Sequence, residues 1–323
     1  IISIVFTPIM LRLLGQSEYG LYNLVSSVVS YLGLLSFGFG SAYVRYFSRY
    51  RVKDDEENIA KLNGMFLTIF SIIGIIAVLA GIVLVFNVDI IFGDKLTVHE
   101  LSTTKILMAI MVFNMALSFP ASVFNSYITA NEEYIFQKVL EIVKTIISPF
   151  VMLPLLLMGY QSVGLVVSTT ILNIFIELSN TLFCYKKLSM KFSFRKFDFV
   201  LMKEMTVFSS YIFINMIIDQ INWNVDKYVI GRFRGTVAVA VYGIAAQLNN
   251  YYMSFSKAIS NVFIPKIHRM VASSNDNKEL TVLFTKIGRI QFIVLSLICS
   301  GIIFFGRPFI NMWAGADYDG SYP

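Results

Sequence analysis

Apolar residues along this chain form long runs that are separated by shorter polar stretches. A helix that crosses a lipid bilayer needs roughly 20 mostly apolar residues, and most of the runs reach that length. We place nine such segments at about residues 1–14, 19–46, 64–86, 106–128, 139–158, 163–184, 205–230, 237–264 and 287–305. The first is too short to be a complete span. The pattern predicts an all-α fold, a polytopic bundle of transmembrane helices.

Composition also indicates a membrane environment. Hydrophobic residues make up 56% of the 323 residues and charged residues 14%, and the mean hydropathy is +0.70. Soluble domains carry about 25% charged residues. A fold of this size in water could not hide so much apolar surface. We therefore expect lipid to be the solvent for most of the chain.

Basic residues are distributed unevenly between the two sides of the predicted bundle. The loops after the second, fourth, sixth and eighth segments carry sixteen Lys and Arg residues, and the opposite loops carry six. Cytoplasmic loops are the ones enriched in Lys and Arg, so we predict that the sixteen-residue side is cytoplasmic. This topology accounts for the net charge of +6 without a nucleic-acid partner. The basic, aromatic-rich loop 185–204 is interpreted as resting on anionic lipid, with a docking site as the alternative.

Few residues indicate catalysis or metal binding. Cys184 and Cys299 lie inside apolar runs, and His99 and His268 have no metal-ligating residues beside them. No metal site or disulfide is predicted. The outward loops are short and hold neither paired carboxylates nor a nucleotide-binding motif. We therefore predict a protein that is not an enzyme, with a membrane polymerase or glycosyltransferase as the alternative.

A weak internal repeat divides the chain. A register shift of 220 residues pairs Gly15 with Gly235, Tyr22 with Tyr242 and Arg49 with Arg269. Since the shift spans six predicted helices, it preserves their direction, as in transporters with parallel repeats. We predict two pseudo-symmetric halves of six-helix type, an N-terminal half (1–184), a basic cytoplasmic linker (185–204) and the start of a truncated C-terminal half (205–323). A chance match in so apolar a sequence is the alternative.

Polar residues recur at helical spacing inside the seventh and eighth segments. Such groups are costly in lipid and usually face a cavity or a partner helix. We hypothesise that these positions line a hydrated substrate path, with hydrogen bonding between helices as the alternative. They are Asn215, Asp219 and Asn222 in the seventh segment and Gln247, Asn250 and Lys257 in the eighth.

Three carboxylates are candidate ion-coupling groups: Asp219, Glu177 and Glu141. For Glu141, an ion pair with Lys144 three residues later is the favoured interpretation, because residues three apart are neighbours on a helix. For Glu177, a structural role beside a Lys or Arg is favoured over ion binding.

Four motifs give the chain a family resemblance. They are LLGQSEYGLY at 13–22, GFG at 38–40 followed by Arg45 and Arg49, DKYVIG at 226–231 followed by Val241-Tyr242, and GRPFINMWAG at 306–315. The chain resembles the multidrug/oligosaccharidyl-lipid/polysaccharide exporter superfamily, and within it the bacterial polysaccharide-unit flippases. The resemblance covers nearly the whole chain. Members usually have twelve or more helices, so we expect the sequence to be a piece of a longer protein.

The resemblance implies a function. Such proteins move undecaprenyl-diphosphate-linked oligosaccharides from the inner to the outer leaflet of the cell membrane by alternating access, for surface polysaccharide assembly. The implied partners are the polyprenyl-diphosphate-linked oligosaccharide, membrane lipids and other polysaccharide-assembly proteins. No cofactor is expected, and coupling to a proton or sodium gradient is common in the superfamily. A multidrug or small-cation antiporter and a lipid II or teichoic-acid exporter are the alternatives.

A diphosphate substrate would need cations at the cytoplasmic side. Arg45 and Arg49 lie near the cytoplasmic end of the second segment, and Lys266 and Arg269 at the matching end of the eighth. Arginine binds phosphate through two parallel hydrogen bonds and lysine as a point charge. We hypothesise that these residues receive the lipid diphosphate, with ordinary positive-inside anchoring as the alternative.

Overall fold

The computed structural model describes residues 2–92, 95–194, 197–273 and 277–322, without the side chains of residues 265, 268, 269, 272, 273 and 277. Helices and short connections make up all of this described part. The α-helices are α1 (Ile2–Ser30), α2 (Phe39–Arg51), α3 (Glu56–Phe86), α4 (Val88–Phe92), α5 (Val98–Ala130), α6 (Tyr134–Leu157), α7 (Gln161–Lys186), α8 (Phe199–Arg234), α9 (Thr236–Ser273) and α10 (Asn277–Trp313). Two 3-10 helices cover Tyr31–Ser36 and Ala316–Ser321. The predicted all-α class is confirmed.

Seven stretches of the described chain are long and apolar enough to cross a membrane, where the sequence suggested nine. Two differences account for this. The stretch Ile2–Arg51 is one run of 50 residues, which the sequence analysis divided in two. At 1.5 Å per residue this run is more than twice as long as the roughly 30 Å hydrocarbon core, and non-helical torsions at Gly15 interrupt it. The other difference is α9, which is not among the seven and carries Asn249, Asn250 and Lys257.

Most helices begin before the apolar segment that revealed them. Polar caps explain the extra turns, because a helix can continue beyond the hydrocarbon when its first N–H groups find acceptors. The Asp55 carboxylate accepts from the backbone N–H of Asn58 at the start of α3, and Asp198 does the same for Leu201 in α8. The Asn58 side-chain amide also donates to Asp55 at 2.6 Å, and this bond, together with the backbone bond, lowers the pKa of Asp55 below its usual value. The length of the apolar segment alone therefore underestimates the length of these helices.

The described chain forms two compact units, residues 1–239 and 240–323. In the first unit, α5 packs against α3 and α7, α6 packs against α7, and α1 packs against α5 and α8. Large side chains from α2 and α3 fill its core, among them Tyr43, Phe47, Phe66 and Phe70. The boundaries predicted from the repeat, at residues 184 and 204, do not coincide with this division and stay a prediction.

The segment after α7 is anchored to the first unit. The backbone N–H of Ser193 donates to the carbonyl of Ala60 at 2.9 Å, and the Asn63 amide donates to the carbonyl of Lys191 at 2.8 Å. The ring of Phe192 packs against the buried core. Part of this loop is therefore an integral piece of the fold, and the interpretation that the loop rests on anionic lipid stays a prediction. Arg195 and Lys196 lie outside the described residues.

In the second unit, the motif at 306–315 holds the chain that follows α10. Arg307 donates to both carboxylate oxygens of Asp319, with Nε–Oδ1 at 2.8 Å and Nη2–Oδ2 at 2.6 Å. Asn311 adds a hydrogen bond to Oδ1 at 3.1 Å. These partners, Arg307 first, lower the pKa of Asp319. The hydroxyl of Ser321 in turn donates to the carbonyl of Val241 in α9 at 2.7 Å. The motif therefore stabilises a turn.

Candidate functional site

A cavity of about 560 Å³ opens among α1, α5, α6 and α7 of the first unit. It lies beside the central turns of α5, α6 and α7 and the last turns of α1, near the middle of the predicted spans. Hydrogen-bonding side chains make up much of its wall, together with one lysine and one glutamate. Its lining residues are Tyr22, Ser26, Val29, Ser30, Met111, Asn114, Met115, Ser118, Lys144, Val166, Thr169, Asn173 and Glu177.

A chain of hydrogen bonds crosses this cavity wall from α6 to α5 and α7. The Lys144 ammonium donates to the Asn173 side-chain carbonyl at 2.6 Å. The Asn173 amide donates to Asn114 at 3.3 Å, and the Asn114 amide donates to the hydroxyl of Thr170 at 3.1 Å. A lysine ammonium has three N–H groups, so Lys144 keeps two for another acceptor. This series of hydrogen bonds orients the Lys144 ammonium and leaves two of its N–H groups available to a ligand.

Glu177 lies one helical turn beyond Asn173 on α7 and lines the same cavity. It is half-buried, and no donor from the described residues bonds to its carboxylate. Lys144 is its electrostatic partner. The cavity thus contains one cation and one carboxylate, each with unused hydrogen-bonding capacity. Such a pair can bind groups that both donate and accept hydrogen bonds.

The predicted ion pair between Glu141 and Lys144 is wrong. Glu141 is exposed and pairs with Lys138 at 2.7 Å, three residues earlier on α6. Lys144 turns instead toward α7, where Asn173 accepts its hydrogen bond. Helical spacing offers Glu141 a lysine on either side, and the packing of α6 against α7 decides between them. Glu141 therefore lies outside the cavity.

The polar stripe of α8 does not reach this cavity. Asn215, Asp219 and Asn222 are exposed, and the Asn215 amide donates to a backbone carbonyl of its own helix at 2.9 Å. A different polar residue of α8 faces α1, since Gln220 exchanges hydrogen bonds with Ser30, including Ser30 Oγ to Gln220 Oε1 at 3.1 Å. The role of the stripe in a hydrated path stays a prediction.

The candidate residues of α9 belong to the second unit. Gln247 is half-buried and donates to the hydroxyl of Tyr251 at 2.9 Å. Asn250, Lys257 and Lys266 are exposed. The Arg269 side chain lies outside the described residues. The predicted mirrored pair of Lys266 and Arg269 is therefore still a prediction.

Two arginines of α2 contact α8. The Arg45 guanidinium lies 4.6 Å from the ring centre of Phe208. Arg49 lies 4.0 Å from the Glu204 carboxylate, and both of these side chains are more than half exposed. Neither arginine is buried, so both could reach a ligand. Their role in binding a diphosphate stays a prediction.

Much of the cavity wall was not predicted from the sequence. Lys144 was assigned to an ion pair with Glu141, and neither Asn114 nor Ser118 was singled out. One available signal was their spacing of four residues within the apolar α5, which places both on one face of the helix. The convergence of α5 with α6 and α7 could not be inferred from any single segment.

Comparisons with known proteins agree with the predicted resemblance. The sequence model of the polysaccharide biosynthesis protein family matches residues 1–271. A putative O-antigen transporter of Shigella flexneri is 20% identical over 327 residues, which cover 95% of this chain and 71% of the relative. The structure is similar to an inward-facing conformation of a multidrug resistance MATE family transporter of the MOP superfamily. That similarity has a TM-score of 0.71 at 11% identity and covers 100% of this chain and 75% of the other.

The family match covers most of the chain. The structural match extends to all of it, and its TM-score of 0.71 shows the shared fold. The repeated apolar helices place the chain in a membrane. The chain therefore belongs to the polysaccharide biosynthesis protein family, and is a multi-pass membrane protein with the helical fold of a MOP-superfamily transporter.

Proposed function

We propose that this protein flips undecaprenyl-diphosphate-linked oligosaccharide units from the inner to the outer leaflet of the cell membrane. Membership of the polysaccharide biosynthesis family supports this role, as does the name of the Shigella relative, a putative O-antigen transporter. A charged, polyhydroxylated headgroup cannot cross hydrocarbon without a polar path, whereas its lipid tail can stay in the bilayer. The two halves would expose that path to each side in turn.

The observation that carries the proposal is the chemistry of the cavity wall. Each sugar hydroxyl both donates and accepts hydrogen bonds, and serine, threonine and asparagine side chains do the same. The cavity offers such groups from α1, α5 and α7, near the middle of the predicted spans. Its volume of about 560 Å³ is in the range of small-molecule sites. It could therefore hold part of a glycan headgroup.

Lys144 adds charge recognition to this wall. Its ammonium is oriented by Asn173 at 2.6 Å and keeps two N–H groups for a phosphate or for an acidic sugar. The exposed Arg45 and Arg49 belong to the predicted cytoplasmic end of the bundle. In the proposed cycle, these arginines meet the diphosphate first, and the glycan then enters the cavity beside Lys144.

A multidrug or small-cation antiporter is the second candidate function. It is favoured by Glu177, a half-buried carboxylate in the cavity, which could bind a cationic ligand or a coupling ion. Of the three candidate ion-coupling residues, Glu177 lines the cavity, whereas Asp219 and Glu141 are exposed. A lipid II or teichoic-acid exporter would use the same polyprenyl-diphosphate chemistry as the first candidate.

The test follows lipid-linked oligosaccharide on each leaflet after deletion of the gene. A membrane-impermeant probe for the sugar measures the outer pool, and lysed cells give the total. Accumulation inside with loss of the outer pool would support the flippase. An unchanged outer pool with greater sensitivity to cationic drugs would support the antiporter. Loss of lipid-linked glycan from both leaflets would indicate an enzyme and refute both transport proposals.

A further inference from the structure

A buried carboxylate lies at the end of the first unit opposite α2 and its arginines. Glu100, in the first turn of α5, is 9% exposed. One of its oxygens, Oε2, accepts from the backbone N–H of Thr97 at 2.8 Å and from the Thr97 hydroxyl at 3.0 Å. These bonds complete a capping box, because the Thr97 hydroxyl also accepts from the Glu100 N–H. One carboxylate oxygen of Glu100 therefore caps the N-terminus of its own helix, α5.

The other oxygen of Glu100 joins two further helices. Oε1 accepts from the hydroxyl of Ser17 in α1 at 2.6 Å and from the hydroxyl of Thr236 in α9 at 2.7 Å. The two hydroxyl oxygens lie 3.4 Å apart. A capping box needs neither Ser17 nor Thr236. This second set of bonds therefore has a purpose other than starting α5.

Three helix N-terminal ends meet at this carboxylate. Glu100 is in the first turn of α5, Thr236 is the first residue of α9, and Ser17 comes two residues after the interruption of α1 at Gly15. Helix N-termini carry partial positive charge, which favours a carboxylate near them. The positive ends of these three helix dipoles would repel one another if they met alone. The negative charge of Glu100 offsets that repulsion and so stabilises their meeting point.

The backbones of α1 and α9 also touch at this point. A Cβ atom on Gly20 would overlap the carbonyl oxygen of Thr236. Thr236 is 5% exposed, and the neighbouring Glu18, 8% exposed, accepts a hydrogen bond from Ser162 of α7. The contact is close and shielded, but polar. Polar contacts can be exchanged for water when the end of the bundle opens, at a smaller cost than exposure of an apolar seam.

We propose that Glu100, Ser17 and Thr236 form a lock that closes the outer end of the transport path. Ser17 and Glu100 belong to the predicted N-terminal half. Thr236 is the first residue of α9, the helix that the repeat assigns to the C-terminal half. Alternating access requires the halves to part at each end in turn, so these bonds break and re-form once in every cycle. Glu100 is a positioning residue, which acts through Ser17 and Thr236. The inference rests on the proposed transport function.

A reversible cross-link tests whether the contact must open. The intact protein carries Ser17→Cys and Thr236→Cys in a Cys299→Ser background, which removes the exposed native thiol. Oxidation in cells should lower the arrival of lipid-linked oligosaccharide in the outer leaflet at least roughly tenfold, and a reductant should restore it. A permanent structural contact would tolerate the cross-link. Normal transport by the oxidised pair would therefore overturn the lock.

The matched control is a second close pair within the N-terminal half. Thr129 and Gln137 join α5 to α6, with Gln137 Nε2 donating to Thr129 Oγ1 at 3.1 Å. Oxidised Thr129→Cys/Gln137→Cys should transport as well as the reduced form. Equal inhibition of both pairs would attribute the effect to general rigidity and would also overturn the lock.

A second measurement does not depend on the substrate. Thr236→Val keeps the shape of the side chain and removes its hydroxyl, so the open state should become more populated. A cysteine at Ser118 in the cavity should then react several-fold faster with an impermeant maleimide applied outside the cell. Ser102→Ala is the control, because within the described part of the chain that exposed hydroxyl of α5 bonds only to the carbonyl of His99. Equal labelling in Thr236→Val and its parent would overturn the lock. A gene whose deletion leaves export normal would instead refute the proposed function.

Discussion

Gly15 and Gly235, 220 residues apart, have the same backbone conformation. Gly15 interrupts α1 with φ 76° and ψ 169°, and Gly235 separates α8 from α9 with φ 82° and ψ −176°. Both torsion pairs lie in a region that essentially only glycine occupies. The register shift that paired these residues from the sequence thus joins two equivalent turns between helices. This is structural support for the repeat at that position.

The first prediction is that Gly15→Ala and Gly235→Ala destabilise the protein to a similar extent. A Cβ atom strains this conformation by about 1–3 kcal/mol. Steric clash adds little, since a Cβ on Gly15 would meet nothing within 4 Å and one on Gly235 would lie 3.6 Å from the Lys95 carbonyl oxygen. Thermal unfolding of the purified protein in detergent should show a lower midpoint for each variant.

Gly288→Ala is the control for both glycines. Gly288 lies within α10, and a Cβ there would also meet nothing within 4 Å. Alanine favours a helix interior over glycine by roughly 1 kcal/mol, so this variant should be as stable as the parent or more stable. Equal losses in all three variants would contradict the assignment of strain to the two turns.

The second prediction concerns the buried Asn63, which anchors the segment after α7. It accepts from the Tyr43 hydroxyl at 2.5 Å and donates to the Lys191 carbonyl at 2.8 Å. Asn63→Ala leaves both partners without this bond, and the loss at the buried Tyr43 hydroxyl alone costs about 1–3 kcal/mol. The midpoint of thermal unfolding should fall clearly. Asn87→Ala should leave it nearly unchanged, since the amide of Asn87, which follows α3, bonds among the described residues only to the nearby carbonyl of Val83. A similar midpoint for both variants would show that the anchor does not stabilise the fold.

The class of fold could be predicted from the sequence, and so could the pairing of Gly15 with Gly235. The cavity could not. Apolar runs report burial in lipid, so they locate helices. They do not report where helices end, and polar caps such as Asp55 and Thr97 extended α3 and α5. The partner of Lys144 is a tertiary choice between Glu141 on its own helix and Asn173 on α7. Helical spacing favours the first, and packing selected the second.

The same limit applies to α8. Its most regular polar stripe, which includes Asp219, is exposed, whereas the single Gln220 faces α1 and bonds to Ser30. A stripe indicates that a helix has a polar face. Which residue meets a neighbouring helix depends on the rotation of α8 against α1, which the sequence does not encode locally.

The third prediction tests Lys144 in transport. Lys144→Gln removes the cation but keeps a donor for Asn173, so export of a lipid-linked unit should fall roughly tenfold, equivalent to about 1.4 kcal/mol. The physical reason is the loss of a charge-assisted hydrogen bond to phosphate or to an acidic sugar. Export is measured as the outer pool of lipid-linked oligosaccharide per copy of the protein in the membrane.

Lys138→Gln is the matched control for Lys144. Lys138 lies on the same helix, 74% of its side chain is exposed, and it pairs with Glu141. It should leave export unchanged, because exposed ion pairs contribute only about 0–1 kcal/mol. If Lys144→Gln also exports normally at normal protein levels, Lys144 does not contact the substrate.

The last prediction tests the arginines of α2. Arg45→Gln and Arg49→Gln should each lower export while leaving the amount of folded protein unchanged. Arg49 and Glu204 are 63% and 54% exposed, and an ion pair of that kind adds about 0–1 kcal/mol to stability. Arg45 lies 4.6 Å from the Phe208 ring, an interaction of about 0.5–1 kcal/mol at an exposed site. Folding therefore depends little on either charge, and a loss of export reports a loss of function.

Lys53→Gln is the control for both arginines, because it removes an exposed charge just beyond α2 and should export normally. Normal export by all three variants would assign the arginines to membrane anchoring. A loss of export confined to the Arg45 and Arg49 variants would place the diphosphate beside α2 at the start of the cycle.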